Sequence, residues 1–301
     1  MLIGCSGWSY SDSFERGGWV KLFYPDVQSK KLPYYAQFFN TAEMDATFYE
    51  KFYMYMSKDT FIAMNRATPA NFQFSVKVPE TVTHDNRLDV NKGAMALLNE
   101  FLEKISPLKY SNKLGAVLIQ LPPSFTVKEF QNTEEFLDRL PSGYDYAVEF
   151  RHPSWFSDLA YNFFLNNKIC MVWNQLDKIQ SPPVVTSDFV YLRLIGDRSI
   201  SEEEFGIIQK DRQQEMEYWS DKFGTVAQNE KDVKIGIVAA NNHYAGFGAA
   251  TANMFRLMRG LPSVEWGVQK QIDNVSNLQF PDEQSTYRRT KQKTMLDYTS
   301  N

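Results

Sequence analysis

Eight short apolar runs, separated by amphipathic stretches, constrain the fold of this 301-residue chain more than any other feature of its sequence. The runs are Leu2–Ser6, Thr41–Met44, Phe72–Val78, Gly115–Leu121, Tyr146–Phe150, Ile169–Trp173, Phe189–Leu194 and Lys234–Ala240. Strands that alternate with helices are typical of a parallel sheet covered by helices, and eight such units close a barrel. The pattern predicts an α/β fold, namely a TIM (β/α)8 barrel with parallel strands.

Helical patterning fills the gaps between these runs. Apolar residues three and four apart predict helices over Asn91–Ile105, Lys128–Leu140, Asp158–Asn166 and Ala249–Arg259. Pro107 follows the first of them closely and predicts its end. The segment Gly196–Asp232 is longer than one connection requires, so we expect an elaborated helical segment between strands 7 and 8.

The polar end of the chain sets the expected domain boundary. After Trp266 the sequence turns polar and includes the basic cluster Tyr287–Lys293. We expect a barrel domain over residues 1–266 and a C-terminal extension over residues 267–301, either helical or partly disordered.

Composition narrows the class of protein. Hydrophobic residues at 43% and charged residues at 23% are typical of a folded globular chain. The net charge of -4 gives no general attraction to nucleic-acid phosphates or anionic membranes. Cys5 and Cys170 lie in apolar runs, and neither a secretion signal nor a membrane-spanning run is recognisable. We therefore expect buried thiols, no membrane association and a cytoplasmic protein.

Strand alternation places charged side chains inside the barrel. Along the third run, Phe72, Phe74, Val76 and Val78 share one face, and Lys77 lies on the other with Gln73 and Ser75. The fifth run likewise places Glu149 and Arg151 opposite its apolar face. Because an unpaired buried charge is costly, these groups should neutralise one another or a ligand.

Further polar and aromatic side chains follow the strand ends, where barrels of this kind bind ligands. Asp45 ends the second run, and all three histidines follow strands. Each histidine and each aromatic residue also has a structural interpretation, as a hydrogen-bonded or core residue. The candidate ligand-binding residues are Trp8, Tyr49, His84, Gln120, Arg151, Trp155, Trp173, Arg193, Asn241, Asn242 and His243.

Several short motifs are shared with a known family. They are Ile3–Tyr10, Phe39–Glu43 with Thr47–Tyr49, Phe74–Pro79, Gln120–Phe125, Ala147–Trp155 and Asn241–Gly246. In these motifs the chain resembles the YecE-like family called domain of unknown function 72. The resemblance implies a TIM barrel related to sugar isomerases, without an established reaction. Cys5 stands where the family commonly has Thr, and Asp45 where many members have Asn.

The converging acids and bases favour a small-molecule enzyme that applies acid/base chemistry to a polar, sugar-like or phosphorylated compound. Glu43 is the candidate base, Lys77 the acid or electrophile, and Glu149 with Arg151 a positioning pair. His152 completes the candidate catalytic set. An isomerase or a hydrolase would fit this chemistry.

Two alternatives from other classes remain open. Glu43, Glu149, His84, His152 and His243 offer oxygen and nitrogen ligands to a divalent metal, although no two histidines have a tight metal-binding spacing. Ion pairing explains the acids equally well, so a metal cofactor is not favoured. Basic residues and rim aromatics would suit a non-catalytic barrel that binds a ligand or nucleic acid, which is also not favoured.

An anion subsite is expected near the last two strands. Arg193 would supply the charge, and the backbone amides near Gly196, Gly246 and Gly248 would supply hydrogen-bond donors. The alternative makes the glycines turn formers and Arg193 a partner of a barrel carboxylate.

Overall fold

A computed structural model describes residues 1–13, 16–196 and 198–266 of the chain. Nine strands in these ranges form one sheet in which every pair is parallel. In chain order they are β1 (Leu2–Ser6), β2 (Thr41–Met44), β3 (Gln73–Lys77), β4 (Leu114–Gln120), β5 (Tyr146–Glu149), β6 (Cys170–Met171), β7 (Trp173–Leu176), β8 (Phe189–Gly196) and β9 (Ile235–Ala240). The sheet order, β6-β5-β4-β3-β2-β1-β9-β8-β7, describes a nearly closed barrel. The prediction of a parallel barrel is confirmed.

The count of eight strands is wrong by one, because the sixth apolar run forms two strands. β6 pairs with β5, whereas β7 pairs with β8. Only Val172 separates them, and its N–H donates to the carbonyl of Val148 at 2.9 Å. The two halves of this run turn to different neighbours, which brings the two edges of the sheet together.

Helices cover the barrel between the strands. They are α1 (Lys31–Tyr35), α2 (Glu50–Tyr53), α3 (Lys58–Arg66), α4 (Ala94–Tyr110), α5 (Phe130–Leu137), α6 (Asp158–Asn166), α7 (Gln213–Asn229), α8 (Asn242–Ala245) and α9 (Gly248–Met258). The bounds predicted for α6 are confirmed. The predicted end at Pro107 is wrong, because α4 continues through it and buries Leu108 completely.

The segment before β9 is elaborated as expected, and α7 is its main element. Short 3-10 helices lie at Val90–Lys92, Val127–Glu129, Pro153–Trp155 and Glu202–Glu204, and a π-helical turn lies at Thr81–Asp85. The part of the chain that the structure describes contains no helix long and apolar enough to cross a lipid bilayer.

The barrel interior has two layers. Its lower layer is apolar and is made by Ala116, Leu118, Ala147, Cys170, Val172, Phe189, Tyr191, Ile237 and Ala239. The alternate residues of the same strands, such as Val117, Val148 and Leu192, pack outward against the helices. Polar side chains follow the lower layer toward the carboxyl ends of the strands. The apolar layer therefore closes the barrel beneath them.

Trp266 marks the end of the described chain. It is 1% exposed and packs edge-on against Phe23, with ring centroids 5.1 Å apart. The chain up to this residue thus belongs to the barrel. The C-terminal extension at 267–301, with its basic cluster Tyr287–Lys293, lies outside the described residues.

A tyrosine hydroxyl joins the first two strands. The Tyr35 hydroxyl accepts a hydrogen bond from the Cys5 amide at 2.7 Å and donates to the carbonyl of Thr41 at 2.9 Å. Gly4 makes this approach possible, because a Cβ there would lie 2.0 Å from the Thr41 carbonyl oxygen. Tyr35 is fully buried, so water cannot replace its hydroxyl.

Removing this hydroxyl should destabilise the barrel. Tyr35→Phe leaves a buried amide and a buried carbonyl without their partner, so we expect the free energy of unfolding to fall by about 1 to 3 kcal/mol. Tyr110→Phe is the control, because Tyr110 is 83% exposed. Urea denaturation followed by circular dichroism measures both. Equal stability of the two variants would show that the hydroxyl contributes nothing.

Candidate functional site

Polar side chains from seven strands converge inside the barrel at the carboxyl ends of the strands. Each is at least nine-tenths buried, although an unpaired polar group in such a place is costly. They are Ser6, Glu43, Lys77, Gln120, Glu149, Asn174 and Arg193. This set is the polar layer of the barrel.

Arg193 of β8 binds Glu43 of β2 in a bidentate ion pair. Nε donates to Oε2 at 2.7 Å and Nη2 donates to Oε1 at 2.6 Å. Glu43 also accepts the hydroxyl protons of Ser6 at 2.5 Å and Tyr191 at 2.6 Å. Both carboxylate oxygens are therefore occupied twice.

The same guanidinium binds a second carboxylate. Nη1 of Arg193 pairs with Oε2 of Glu149 on β5. The other oxygen of Glu149 accepts from Nε of Arg151 at 2.8 Å. Two carboxylates and two guanidinium groups thus neutralise one another, which is the condition for burying such charges.

The ion pairs keep both acids ionised. Burial alone would raise the pKa of Glu43, but Arg193 and the hydrogen bonds hold it below its usual value. Arg193 and Arg151 likewise overcome the effect of burial on Glu149 and lower its pKa to about 2. A carboxylate with a low pKa is a poor base near neutrality.

Lys77 forms no ion pair with Glu43 or Glu149. Its Nζ lies 3.5 Å from the centre of the Phe48 ring and has no hydrogen bond to any described residue. Burial, followed by the charges of Arg193 and Arg151, lowers the pKa of Lys77 to about 7, while Glu149 and Glu43 act in the opposite direction. Near neutral pH the amine therefore exchanges a proton readily.

Two more titratable groups lie beside Lys77. Burial and the charge of Glu43 raise the pKa of Asp45, although Lys77 and Arg193 lower it in part. His84 packs edge-on against Phe48, with ring centroids 4.9 Å apart. Burial and the nearby Lys77 and Arg151 lower the pKa of His84 to about 4, so its ring is neutral at pH 7.

The other two histidines hold local structure. Nδ1 of His152 accepts the amide proton of Ser154 at 3.2 Å and caps the 3-10 helix Pro153–Trp155. Nε2 of His243 lies 3.2 Å from Oε1 of Glu202, and its ring packs against Phe205. His243 therefore ties α8 to the loop that follows β8.

The aromatic residues predicted for the site divide into two groups. Trp8 is half-buried after β1, and Tyr49 is 40% exposed before α2. Trp155 is fully buried and stacks on Phe150, with ring centroids 4.0 Å apart. Trp173 points outward and stacks on Trp219 of α7. Placing Trp155 and Trp173 at the rim was therefore wrong, because both belong to the core between barrel and helices.

The predicted amides stabilise turns. Oδ1 of Asn241 accepts from the amide of His243 at 2.9 Å and caps α8. Oδ1 of the buried Asn242 accepts from the amide of Gly248 at 2.8 Å. Gln120 faces the barrel interior, and its Nε2 donates to the carbonyl of Leu121 at 2.7 Å.

The expected anion cradle does not form as predicted. The Gly246 amide donates to the carbonyl of Asn242 at 2.7 Å, and the Gly248 amide is taken by the Asn242 side chain. Gly196 instead allows close packing, because a Cβ there would lie 2.1 Å from the His243 carbonyl oxygen. Arg193 binds the two barrel carboxylates, which is the alternative stated above.

The structure adds polar residues that the candidate list lacked. Tyr191 lies two residues before Arg193 on β8 and donates to Glu43. Asn174 donates to the carbonyl of Phe150 at 2.9 Å, and its buried Oδ1 has no hydrogen bond to any described residue. Strand alternation contains the signal for both, since Tyr191 shares the face of Arg193, and Asn174 that of Cys170 and Val172.

The metal hypothesis needs ligands that the ion pairs do not occupy. Within residues 1–13, 16–196 and 198–266, no group of three or more His, Cys, Asp or Glu side chains is arranged to hold a metal ion. The oxygens of Glu43 and Glu149 all accept from Arg193, Arg151 or hydroxyl groups. A metal at these acids would have to displace Arg193.

A separate cavity of about 300 Å³ lies at the opposite end of the barrel, near the starts of β5 and β8. Tyr146, Ile169 and Phe189 are among the residues that line it. No residue of the polar layer contacts this cavity, so it does not belong to the site.

Comparison with known proteins agrees with the motif resemblance. The family model described as protein of unknown function DUF72 matches residues 2–272. UPF0759 protein YecE of Escherichia coli (strain K12) is 30% identical over 157 residues, covering 52% of this chain and 50% of YecE. The chain thus matches half the length of that relative. UPF0759 protein YunF of Bacillus subtilis (strain 168) is 27% identical over 275 residues, covering 83% of this chain and 91% of YunF.

Solved structures show the same architecture. A crystal structure of a DUF72 family protein from Thermotoga maritima MSB8 matches with a TM-score of 0.65 and 28% identity, covering 85% of this chain and 98% of that one. A second, from Enterococcus faecalis V583, matches with a TM-score of 0.61 at 21% identity and bears on the fold alone.

Removing the central guanidinium should destabilise the fold strongly. Arg193→Met leaves the buried Glu43 without a cationic partner and Glu149 with Arg151 alone, so we expect a loss of about 3 to 5 kcal/mol in the free energy of unfolding. Adding Glu43→Gln should recover part of that loss. The control is Arg139→Met, because Arg139 pairs with Glu135 on the surface and should contribute at most about 1 kcal/mol. Similar losses in both arginine variants would contradict a central role for Arg193.

The lowered pKa of Lys77 should be visible in the pH dependence of stability. The unfolded chain has the ordinary lysine pKa of 10.5, so between pH 7 and 10.5 it binds more protons at this position than the folded protein. The free energy of unfolding should therefore rise with pH in this window. Lys77→Met should lack the rise, whereas Lys58→Met at an exposed ion pair should retain it. Parallel curves for Lys77→Met and the native protein would exclude the shift.

Proposed function

Since the chain belongs to the DUF72 family, whose description assigns no function, we propose one from the site: an enzyme that moves protons on a small polar compound at the carboxyl ends of the barrel strands. The observation that carries this proposal is the buried Lys77 amine, which has no hydrogen-bond acceptor among the described residues and a pKa of about 7. Such tuning is common in acid/base catalysis and is expensive where it serves no reaction.

Lys77 and Asp45 form the proton-transferring pair in this proposal. Burial and the nearby guanidinium groups favour the neutral amine of Lys77, whereas burial and Glu43 favour the protonated carboxyl of Asp45. The pKa values of the two groups move toward each other and toward neutrality. A shift in these directions lowers the cost of moving a proton between the two groups.

Glu43 receives a different role from that expected of a catalytic base. Its oxygens accept four hydrogen bonds, so it holds Arg193 in place and adjusts the charge around Lys77. Glu149 holds Arg151 and Arg193 in the same way. His152 positions the turn after β5 through its bond to Ser154.

Arg151 is the group best placed to bind a substrate. Its side chain is 22% exposed, and only Nε is engaged by Glu149 among the described residues. The two Nη groups can therefore hold a carboxylate or a phosphoryl group. Trp8 and Tyr49 at the rim offer ring faces to the apolar side of a polar compound, as in sugar recognition.

The site gives less support to the nucleic-acid alternative. Lys77 and Arg193 are 6% and 3% exposed, so neither can reach a polymer backbone at the surface. Phosphate contacts of nucleic acids require exposed cations. We therefore propose a small molecule as the ligand.

Screening by ligand-observed NMR against sugars, sugar phosphates and oxo acids, followed by turnover assays of the compounds that bind, tests this function. Lys77→Met should lower kcat by about 10² to 10⁴ fold, the usual contribution of a proton-transferring group. Arg151→Met should raise KM. Lys58→Met, on the outer surface of α3, should change neither.

The pH profile of kcat separates positioning from structural roles. Glu43→Gln removes a negative charge near Lys77 and should move its apparent pKa downward, whereas Arg151→Met should move it upward. Full activity of Lys77→Met, or profiles that none of these variants shifts, would refute the proposed function.

A further inference from the structure

We propose that Lys77 is a nucleophile that forms an imine with a small aldehyde or ketone carrying a carboxylate or phosphoryl group, which Arg151 binds. This inference rests on the proposed function and names its substrate class and covalent step. A lysine becomes a nucleophile when its surroundings favour the neutral amine and leave the nitrogen lone pair unused.

The geometry around Nζ fits this requirement. The atom lies over the ring of Phe48 at 3.5 Å, at the end of β3. No described residue accepts a hydrogen bond from it, and the oxygens of Glu43 and Glu149 are committed to Arg193, Arg151 and hydroxyl groups. Among the described residues, a carbonyl carbon brought to this position competes with no hydrogen-bond acceptor for the amine, and the contact that Nζ makes is with the Phe48 ring.

Lys113 provides a contrast within the same chain. It is also buried, at 5% exposure, but its Nζ donates to the carbonyls of Asn65 and Thr68 at 2.7 Å each and to the Thr68 hydroxyl at 3.1 Å. Burial lowers the pKa of Lys113 as well, but its nitrogen is engaged in these three hydrogen bonds. Burial of a lysine alone therefore does not produce the environment of Lys77.

The charge around Lys77 specifies the substrate. Groups on three elements face it: Arg193 from β8, Arg151 and Glu149 from the end of β5, and Glu43 and Asp45 from the end of β2. Arg193 is neutralised by the two glutamates, whereas the Nη groups of Arg151 have no partner among the residues that the structure describes. A carbonyl compound with an anionic group a few bonds away would satisfy Arg151 and present its carbonyl to Lys77.

The covalent step balances without an external oxidant or reductant. The lone pair of the neutral amine attacks the carbonyl carbon, the C=O π bond breaks, and a proton moves from nitrogen to oxygen to give a carbinolamine. Protonated Asp45 donates a proton to the hydroxyl, which leaves as water while the C=N bond forms. The remaining N–H proton returns to the Asp45 carboxylate. Amine and carbonyl compound thus give imine and water.

Reductive trapping tests the proposal on the native protein. The protein is incubated at pH 7.5 with glyoxylate and sodium cyanoborohydride, and peptide mapping by mass spectrometry measures the labelling rate of each lysine. We expect Lys77 to react at least about tenfold faster than Lys113 or the exposed Lys58, because its pKa is about 7 and its nitrogen donates no hydrogen bond to any described residue, whereas Nζ of Lys113 donates three. The rate should reach half its maximum near pH 7.

Acetaldehyde, which lacks an anionic group, tests the substrate class. Glyoxylate should label Lys77 faster than acetaldehyde does, and Arg151→Met should bring the ratio of the two rates close to one, because the accompanying rise in the pKa of Lys77 slows both probes alike. Equal rates for the two probes in the native protein would overturn the assignment of an anionic substrate.

Two results separate this inference from the proposed function. If Lys77 is labelled no faster than Lys113 and Lys58, but Lys77→Met still abolishes turnover, imine formation is refuted and proton transfer stands. If Lys77 is not labelled and Lys77→Met retains turnover, both proposals fall. Fast, saturable labelling of Lys77 with an anion preference supports the imine.

Discussion

A single guanidinium group, that of Arg193, joins three distant strands of the barrel. It binds Glu43 of β2 through two nitrogens and Glu149 of β5 through the third. Burying any one of these charges alone would be prohibitive, so each depends on the other two. The polar layer can be buried above the apolar interior because its carboxylates and guanidinium groups balance one another in charge.

This charge balance also affects the pKa of Lys77. Because the two glutamates are already shared between Arg193 and Arg151, neither hydrogen-bonds the lysine. The amine then experiences burial and two nearby positive groups, all of which disfavour its charged form. After burial, the ion pairs of the barrel interior thus contribute to the lowered pKa of Lys77.

Strand alternation predicted much of this layer from sequence. It correctly placed Lys77 and Glu149 inside the barrel, because residues two apart share a face. The same rule assigns Trp173 to the outer face with Met171, and it therefore argues against Trp173 as a ligand-binding residue. The pairing of Arg193 with both glutamates was not predictable, since 150 and 44 residues separate the partners along the chain. Proline was also misleading: burial of Leu108 keeps α4 helical beyond Pro107.

Burial and the paired arginines should leave Lys77 neutral in about half of the molecules at pH 7. NMR titration of protein labelled with ¹⁵N-lysine measures this directly at Nζ, with the resonance assigned by its absence in Lys77→Met. We expect a titration midpoint near pH 7 for Lys77 and a higher midpoint after Arg151→Met. A midpoint near the ordinary value of 10.5 in the native protein would contradict it.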